Sequence, residues 1–135
     1  MSAVLVDSNV LIDIATEDSP WAQWSAAMVA RLADSAFLVI NPIVYAEISA
    51  GYTRIEDIDE ALPPVVYRRE PLPYEAAFLA GKCHREYRRR DGFRLGVLPD
   101  FLIGAHAAVR GYQLLTRDAR RYRTYFPRLE LIAPE

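Results

Sequence analysis

The chain has 135 residues and a mass of 15.3 kDa, enough for one domain with a sizeable core and too little for two of ordinary size. With 52% hydrophobic and 25% charged residues it has the balance of a soluble globular protein, and no apolar run approaches the roughly 18 residues that a membrane span requires. The net charge of −2 is unevenly divided: residues 1–75 hold 12 acids and 4 bases, whereas residues 76–135 hold 6 acids and 12 bases, so the two parts carry −8 and +6. All basic residues but Lys82 are arginine, the side chain best suited to bidentate phosphate contact, which makes the second part suited to an anionic partner.

In chain order, strands alternate with helices. Residues 3–6 (AVLV) form a continuous apolar run, the mark of a strand buried on both faces, and the run ends in Asp7. SNVLIDIAT reads as a short helix. Ser19 and Pro20 stand as N-cap and first-turn residues of a second helix, with Trp21, Trp24, Met28 and Leu32 on one face. FLVI (37–40) is a second strand halted by Asn41 and Pro42, and IVYAEISAGY follows as a helix carrying Glu47. TRIEDIDEAL is an acidic amphipathic helix closing at Pro63 and Pro64, after which VVYR is a third strand. Pro73 opens a long helix with Ala76, Ala80, Cys83 and Tyr87 as its inner stripe, ending in Arg88-Arg89-Arg90-Asp91-Gly92. GFRLGV is a loop and PDFLIGAHAAVRG a helix whose Gly104, Ala105, Ala107 and Ala108 permit close approach to a sheet. QLLT is a fourth strand, delivering Asp118, and LELI (129–132) a fifth. The alternation implies right-handed crossovers and an α/β fold with a parallel sheet between helices, as a single domain over residues 1–135.

Two expectations concern location. MSAVLVDSN shows no basic segment followed by a long apolar stretch, so no signal peptide is expected. Cys83, the only cysteine, cannot form an internal disulfide, which points to a reducing cytoplasm, and it reads as a small core residue of its helix.

Four acids stand where acids are otherwise out of place. Asp7, Glu47, Asp100 and Asp118 adjoin the apolar or small-residue stretches AVLVD, VYAEISAG, LPDFLIGAHAA and LLTRD. A carboxylate at the edge of a core tends to take up a proton unless a cation compensates its charge. Any one of them could cap a helix or pair with an arginine, but four separate segments share the pattern. Carboxylates converging from distant parts of a chain make a hard oxygen site of the kind Mg²⁺ or Mn²⁺ prefers, and such ions serve phosphoryl transfer. In an open α/β sheet the place for them to meet is the crevice beyond the carboxyl ends of the strands.

VDSNVLID (6–13), AEI (46–48), PDFLIGAHA (99–107) and LLTRDARRYRTYF (114–126) resemble, in order and spacing, the successive signatures of the PIN-domain nucleases. The last two segments resemble especially those of the VapC toxins of prokaryotic toxin–antitoxin systems. Asp-x-Asn alone is weak evidence, whereas the ordered set of four is specific and covers essentially the whole chain. The resemblance implies a three-layer sandwich with a parallel five-stranded sheet, and a divalent-metal-dependent endoribonuclease. Asp7, Glu47, Asp100 and Asp118 match its acidic cluster, Asn9 the polar residue that orients the first acid, and Thr116 the hydroxyl two places before the last. The implied cofactor is Mg²⁺ or Mn²⁺. Asp7 and Asp100 are expected as the most direct ligands, with Asp118 and Glu47 serving a second ion or a coordinated water. In-line attack by water would leave a 5′-phosphate and a 3′-hydroxyl. The implied partners are RNA and a VapB-type antitoxin, in a homodimer or in a heterotetramer or higher assembly with that antitoxin, away from any membrane.

Other residues admit two readings each. Arg117, Arg120 and Arg121, followed by Arg123 and interleaved with Tyr122, Tyr125 and Phe126, suit phosphate contact with base stacking, or else a solvated helix whose aromatics face the core. Asp13 lies one helical turn after Asn9 and either supports the site or pairs with an arginine. His84 and His106 lack metal-ligand spacing and read as structural. The Trp21–Trp24 face, together with Ile55, Ile58 and Leu62, offers a groove for a partner helix, or faces inward. A response-regulator receiver would need a lysine after its last strand, and a haloacid-dehalogenase phosphatase would need a second acid in place of Asn9; neither is present. The competing reading is a catalytically slow RNA- or antitoxin-binding module on the same fold.

Overall fold

Strand β1 (Ser2–Val6) is the axis of the molecule: its Val4, Leu5 and Val6 are fully buried, as a continuous apolar run requires when both faces of a strand are covered. The computed structural model describes residues 2–17, 19–90 and 96–134. Five strands form one parallel sheet in the order β3-β2-β1-β4-β5, where β2 is Ala36–Ile40, β3 Tyr67–Arg69, β4 Gln113–Leu115 and β5 Leu131–Ile132. Leu5 lies opposite Val39 of β2 on one side and Leu114 of β4 on the other. The chain winds outward from β1 through β2 to β3, then returns past β1 to β4 and β5.

Right-handed crossovers in these opposite directions place the connecting helices on opposite faces, which gives the three-layer sandwich. On one face α1 (Ser8–Thr16) packs with α2 (Ala22–Ala33), and α2 lies on β2. Helices α3 (Pro42–Ser49) and α4 (Ile55–Ala61) follow β2. On the other face α5 (Tyr74–Arg90) packs along α6 (Leu98–Arg110), which lies on β1 and β4, and the short α7 (Arg120–Tyr125) abuts α6. Ala76, Ala80, Cys83 and Tyr87 are the buried stripe of α5, as their spacing predicts.

The structure departs from the sequence expectations at several places. Helix α2 begins at Ala22, because Ser19 and Pro20 form a preceding turn in which Ser19 Oγ accepts the Trp21 N–H and Ser19 O the Ala22 N–H. Val65 and Val66 are exposed in a turn closed onto Pro63 O, so β3 starts only at Tyr67. Ile58 and Leu62 face the core, which leaves Ile55 as the exposed member of that run and removes two walls of the expected groove. Trp24, Met28 and Leu32 likewise pack against the core, with Trp21 set edge-on to Trp24. Gly104 meets aromatic rings instead of the sheet: a Cβ there would lie 2.6 Å from Phe126 Cε2 and 3.0 Å from Tyr122 Cδ1. The Asp91-Gly92 stop and the first residues of the GFRLGV loop lie outside the described residues. Among the described residues no helix is long and apolar enough to cross a membrane.

Candidate active site

The winding reverses between β1 and β4, so the crevice beyond their carboxyl ends is where an open α/β sheet offers a site. A cleft of about 430 Å³ opens there, lined by Asp7, Asn9, Asp100, Asp118, Arg120 and Arg121 together with the aromatic residues Tyr87, Tyr122 and Tyr125 and with Thr124.

Asp7 follows β1 directly and is the N-cap residue of α1, yet its carboxylate makes no capping hydrogen bond. An N-cap aspartate ordinarily accepts a first-turn N–H. This one is turned into the cleft floor, 3% exposed, where its Oδ2 accepts from Tyr122 Oη at 2.8 Å, Thr116 Oγ1 at 2.9 Å and Asn9 Nδ2 at 3.4 Å. Thr116, the first residue past β4, also accepts from Asn9 Nδ2 at 3.2 Å and from the Asp118 N–H at 3.1 Å, which satisfies a hydroxyl's one donor and two acceptor positions. Asn9 Oδ1 in turn accepts the Arg117 N–H. The loops after β1 and β4 are thus cross-linked through side chains.

The other acids arrive from different elements. Asp100 stands in the first turn of α6, two-thirds buried, and receives Arg121 Nη1 on its Oδ2 at 2.5 Å. Asp118 is exposed at the cleft mouth. Glu47, half-buried on α3, lies to the side of the cleft lining, where its Oε1 accepts Ser8 Oγ at 2.7 Å.

The remaining candidates separate cleanly. Arg120 and Arg121 line the cleft, whereas Arg117 donates its Nε to the buried Asp13, which also accepts from Ser19 and Ser25. Asp13 is therefore an internal anchor for α1, α2 and the loop after β4. His106 is fully buried between Asn41 and Glu70. Asn41 Oδ1 already accepts the Val44 N–H, so Asn41 Nδ2 donates to His106 Nδ1 and His106 Nε2 carries the proton shared with Glu70. Tyr122 and Phe126 are buried, so the C-terminal aromatics divide, with Tyr122 reaching the site from the core side. Sequence reasoning missed two groups here. Ser8 ties Glu47 to the β1 end, and its place between Asp7 and Asn9 was the available signal. The phenol of Tyr122 had no signal of its own.

The family model for the PIN domain matches residues 4–127. The chain belongs to the PIN domain family. Comparison with curated proteins gives no significant match. Among solved structures, VapBC2 from Rickettsia felis bound to a promoter DNA fragment is similar, with a TM-score of 0.72 and 19% identity over 97% of this chain and 98% of that one. VapBC-1 from nontypeable Haemophilus influenzae is similar with a TM-score of 0.72 and 18% identity over 97% of each chain. VapC20 from Mycobacterium tuberculosis, a Sarcin-Ricin loop cleaving toxin, has a TM-score of 0.60 and 15% identity over 90% of this chain and 94% of that one. These likenesses are of fold.

In this PIN domain the acids feel one another. Burial, chiefly, and the charges of Asp100 and Glu47 push Asp7 up to about 6, against the hydrogen bonds from Tyr122 and Thr116, which lower it. Burial and the Asp100 charge also raise Glu47, and burial with the Asp118 charge raises Asp100 against the opposing effect of Arg121. Tyr122 is held well above the usual phenol range by burial and by the neighbouring carboxylates, so it remains a hydrogen-bond donor. Among the described residues, no group of three or more Asp, Glu, His or Cys side chains stands close enough together to hold a metal ion. The donor set nevertheless has the chemistry of a hard divalent cation: carboxylate oxygens with mutual repulsion to relieve and no thiolate or imidazole.

Proposed function

We propose that this PIN domain is a divalent-metal-dependent endoribonuclease acting as the toxin of a toxin–antitoxin pair. The observation that carries the reading is the meeting of Asp7, Asp100 and Asp118 around one cleft at the β1–β4 reversal, with Glu47 beside it and arginines on its rim. The resemblance of the four motifs to VapC supports the toxin role, as does the likeness to chains of VapBC complexes. Asp7, Asp100 and Asp118 line the cleft further apart than a bound ion requires, so they would hold Mg²⁺ or Mn²⁺ only once drawn together and with Asp100 released from Arg121, with Glu47 completing the acidic set. When bound, such an ion supplies an activated water and neutralises charge on the scissile phosphate. Asn9 and Thr116 orient Asp7. Arg120 and Arg121 meet the phosphates of the RNA, and Arg121 must leave Asp100 to do so. Tyr125, half-buried, lines the same cleft as a surface for an unpaired base. The homodimer and the antitoxin complex belong to this reading by resemblance, and of the residues expected to line a groove for a partner helix Trp21 and Ile55 are exposed.

The Arg121–Asp100 ion pair favours a second reading, a slow RNA- or antitoxin-binding module whose own arginine occupies the acidic site. Incubation of the purified chain with structured RNA separates the two. Cleavage dependent on millimolar Mg²⁺ or Mn²⁺, lost with chelator and reduced at least a thousandfold by Asp7→Asn, supports the enzyme; RNA binding with no divalent-dependent cleavage supports the module.

A further inference from the structure

The two oxygens of Asp7 are treated differently by the protein. Oδ2 takes the phenol of Tyr122, the hydroxyl of Thr116 and, at longer range, the amide of Asn9. Among the described residues Oδ1 has only Ser8 Oγ at 3.5 Å, and the single proton of that hydroxyl is directed to Glu47 at 2.7 Å. One oxygen is thus saturated with donors from the core side, and the other is left with its lone pairs unspent.

We infer that Tyr122 is a positioning residue: its phenol, acting with Thr116, locks Asp7 by Oδ2 and leaves Oδ1 as the oxygen offered to the cation. The inference rests on the metal-nuclease reading above. It goes beyond the acidic set by assigning a role to a residue 115 positions away in sequence. The fold holds Tyr122 firmly for this task. The side chain is 2% exposed, and its ring lies so close to Gly104 of α6 that a Cβ there would meet Cδ1 at 3.0 Å. A buried phenol could have been satisfied by a backbone carbonyl; here it donates to the carboxylate at the centre of the site. Groups that hydrogen-bond to ligating carboxylates fix their orientation, and losing one commonly weakens metal binding 10- to 100-fold.

The test is Tyr122→Phe, which keeps the ring against Gly104 and removes only the hydroxyl, measured for Mn²⁺ binding by calorimetry in the absence of RNA and for kcat and KM on an RNA substrate. The expected result is a Kd for Mn²⁺ raised about tenfold or more, kcat lowered by a similar factor, and KM within twofold of the wild type. Thr116→Val, which removes the other hydroxyl from the same oxygen, forms a second arm with the same expected loss, and the double variant should lose less than the product of the two factors because both act on one carboxylate. A folded Tyr122→Phe protein with Kd and kcat both within twofold of the wild type overturns the positioning role alone. A wild-type chain that binds no Mn²⁺ overturns the metal reading and this inference with it.

Discussion

Asp7 is the most deeply buried of the acids that line the cleft, and its environment makes a pH prediction. Its folded-state value of about 6 lies above the 3.8 of a free side chain, so between roughly pH 4 and pH 6 the folded protein holds a proton that the unfolded chain releases. The stability this contributes is fully present below pH 4 and is lost as pH rises through about 6, by roughly 2–3 kcal/mol. Glu47 and Asp100 are raised in the same direction and reinforce the trend. His106 opposes it, because burial lowers its value and its neutral form is favoured as pH rises. Comparing metal-free melting curves at pH 5 and pH 7.5 in the wild type and in Asp7→Asn isolates the Asp7 contribution: the wild type should lose more stability over that interval, and equal losses in the two proteins would contradict it.

At the scale of elements, α7 delivers both the cleft arginines and Tyr122, and Gly104 sets how closely it packs on α6. Gly104→Ala would drive a methyl group into the Phe126 and Tyr122 rings, at 2.6 and 3.0 Å from the nearest atoms of each. The expected cost is about 1–3 kcal/mol in denaturant unfolding, with a displaced Tyr122 weakening the hold on Asp7. A change below about 0.5 kcal/mol would mean that α7 shifts freely. What the sequence made legible follows the same division. The α5 stripe could be read because Ala76, Ala80, Cys83 and Tyr87 repeat at helical spacing, and β1 because its apolar run is unbroken. The start of β3 could not, because Pro63 fixes a turn that takes Val65 and Val66 out of the sheet despite their strand propensity. The four acids and Asn9 stood out as polar residues at apolar edges. Ser8 and Tyr122 did not, since a serine in a helix and a tyrosine among aromatics look like ordinary packing until the β1 and β4 loops are brought together. Arg117 was equally opaque: only the fold places it on Asp13, over a hundred residues earlier.

For the whole molecule, the winding reversal at β1 explains why Asp7, Asp100 and Asp118, from distant segments, share one crevice, with Asp7 on its floor, Asp118 at its mouth and Arg120 and Arg121 of the basic part beside them. Burial, chiefly, and in part the charges of neighbouring acids raise the affinity of Asp7, Glu47 and Asp100 for protons, and a divalent cation would relieve the part due to charge. The claim that this crevice is a cation site is tested most directly by titrating Mg²⁺ or Mn²⁺ into the RNA-free protein at pH 7.5 while following thermal unfolding, in the wild type, Asp7→Asn and Asp100→Asn. The account predicts a wild-type melting temperature that climbs with concentration, by about 5–10 °C at a hundredfold excess over Kd, and a shift largely abolished in both variants. A melting temperature indifferent to millimolar cation, or one that rises equally in all three proteins, would contradict it.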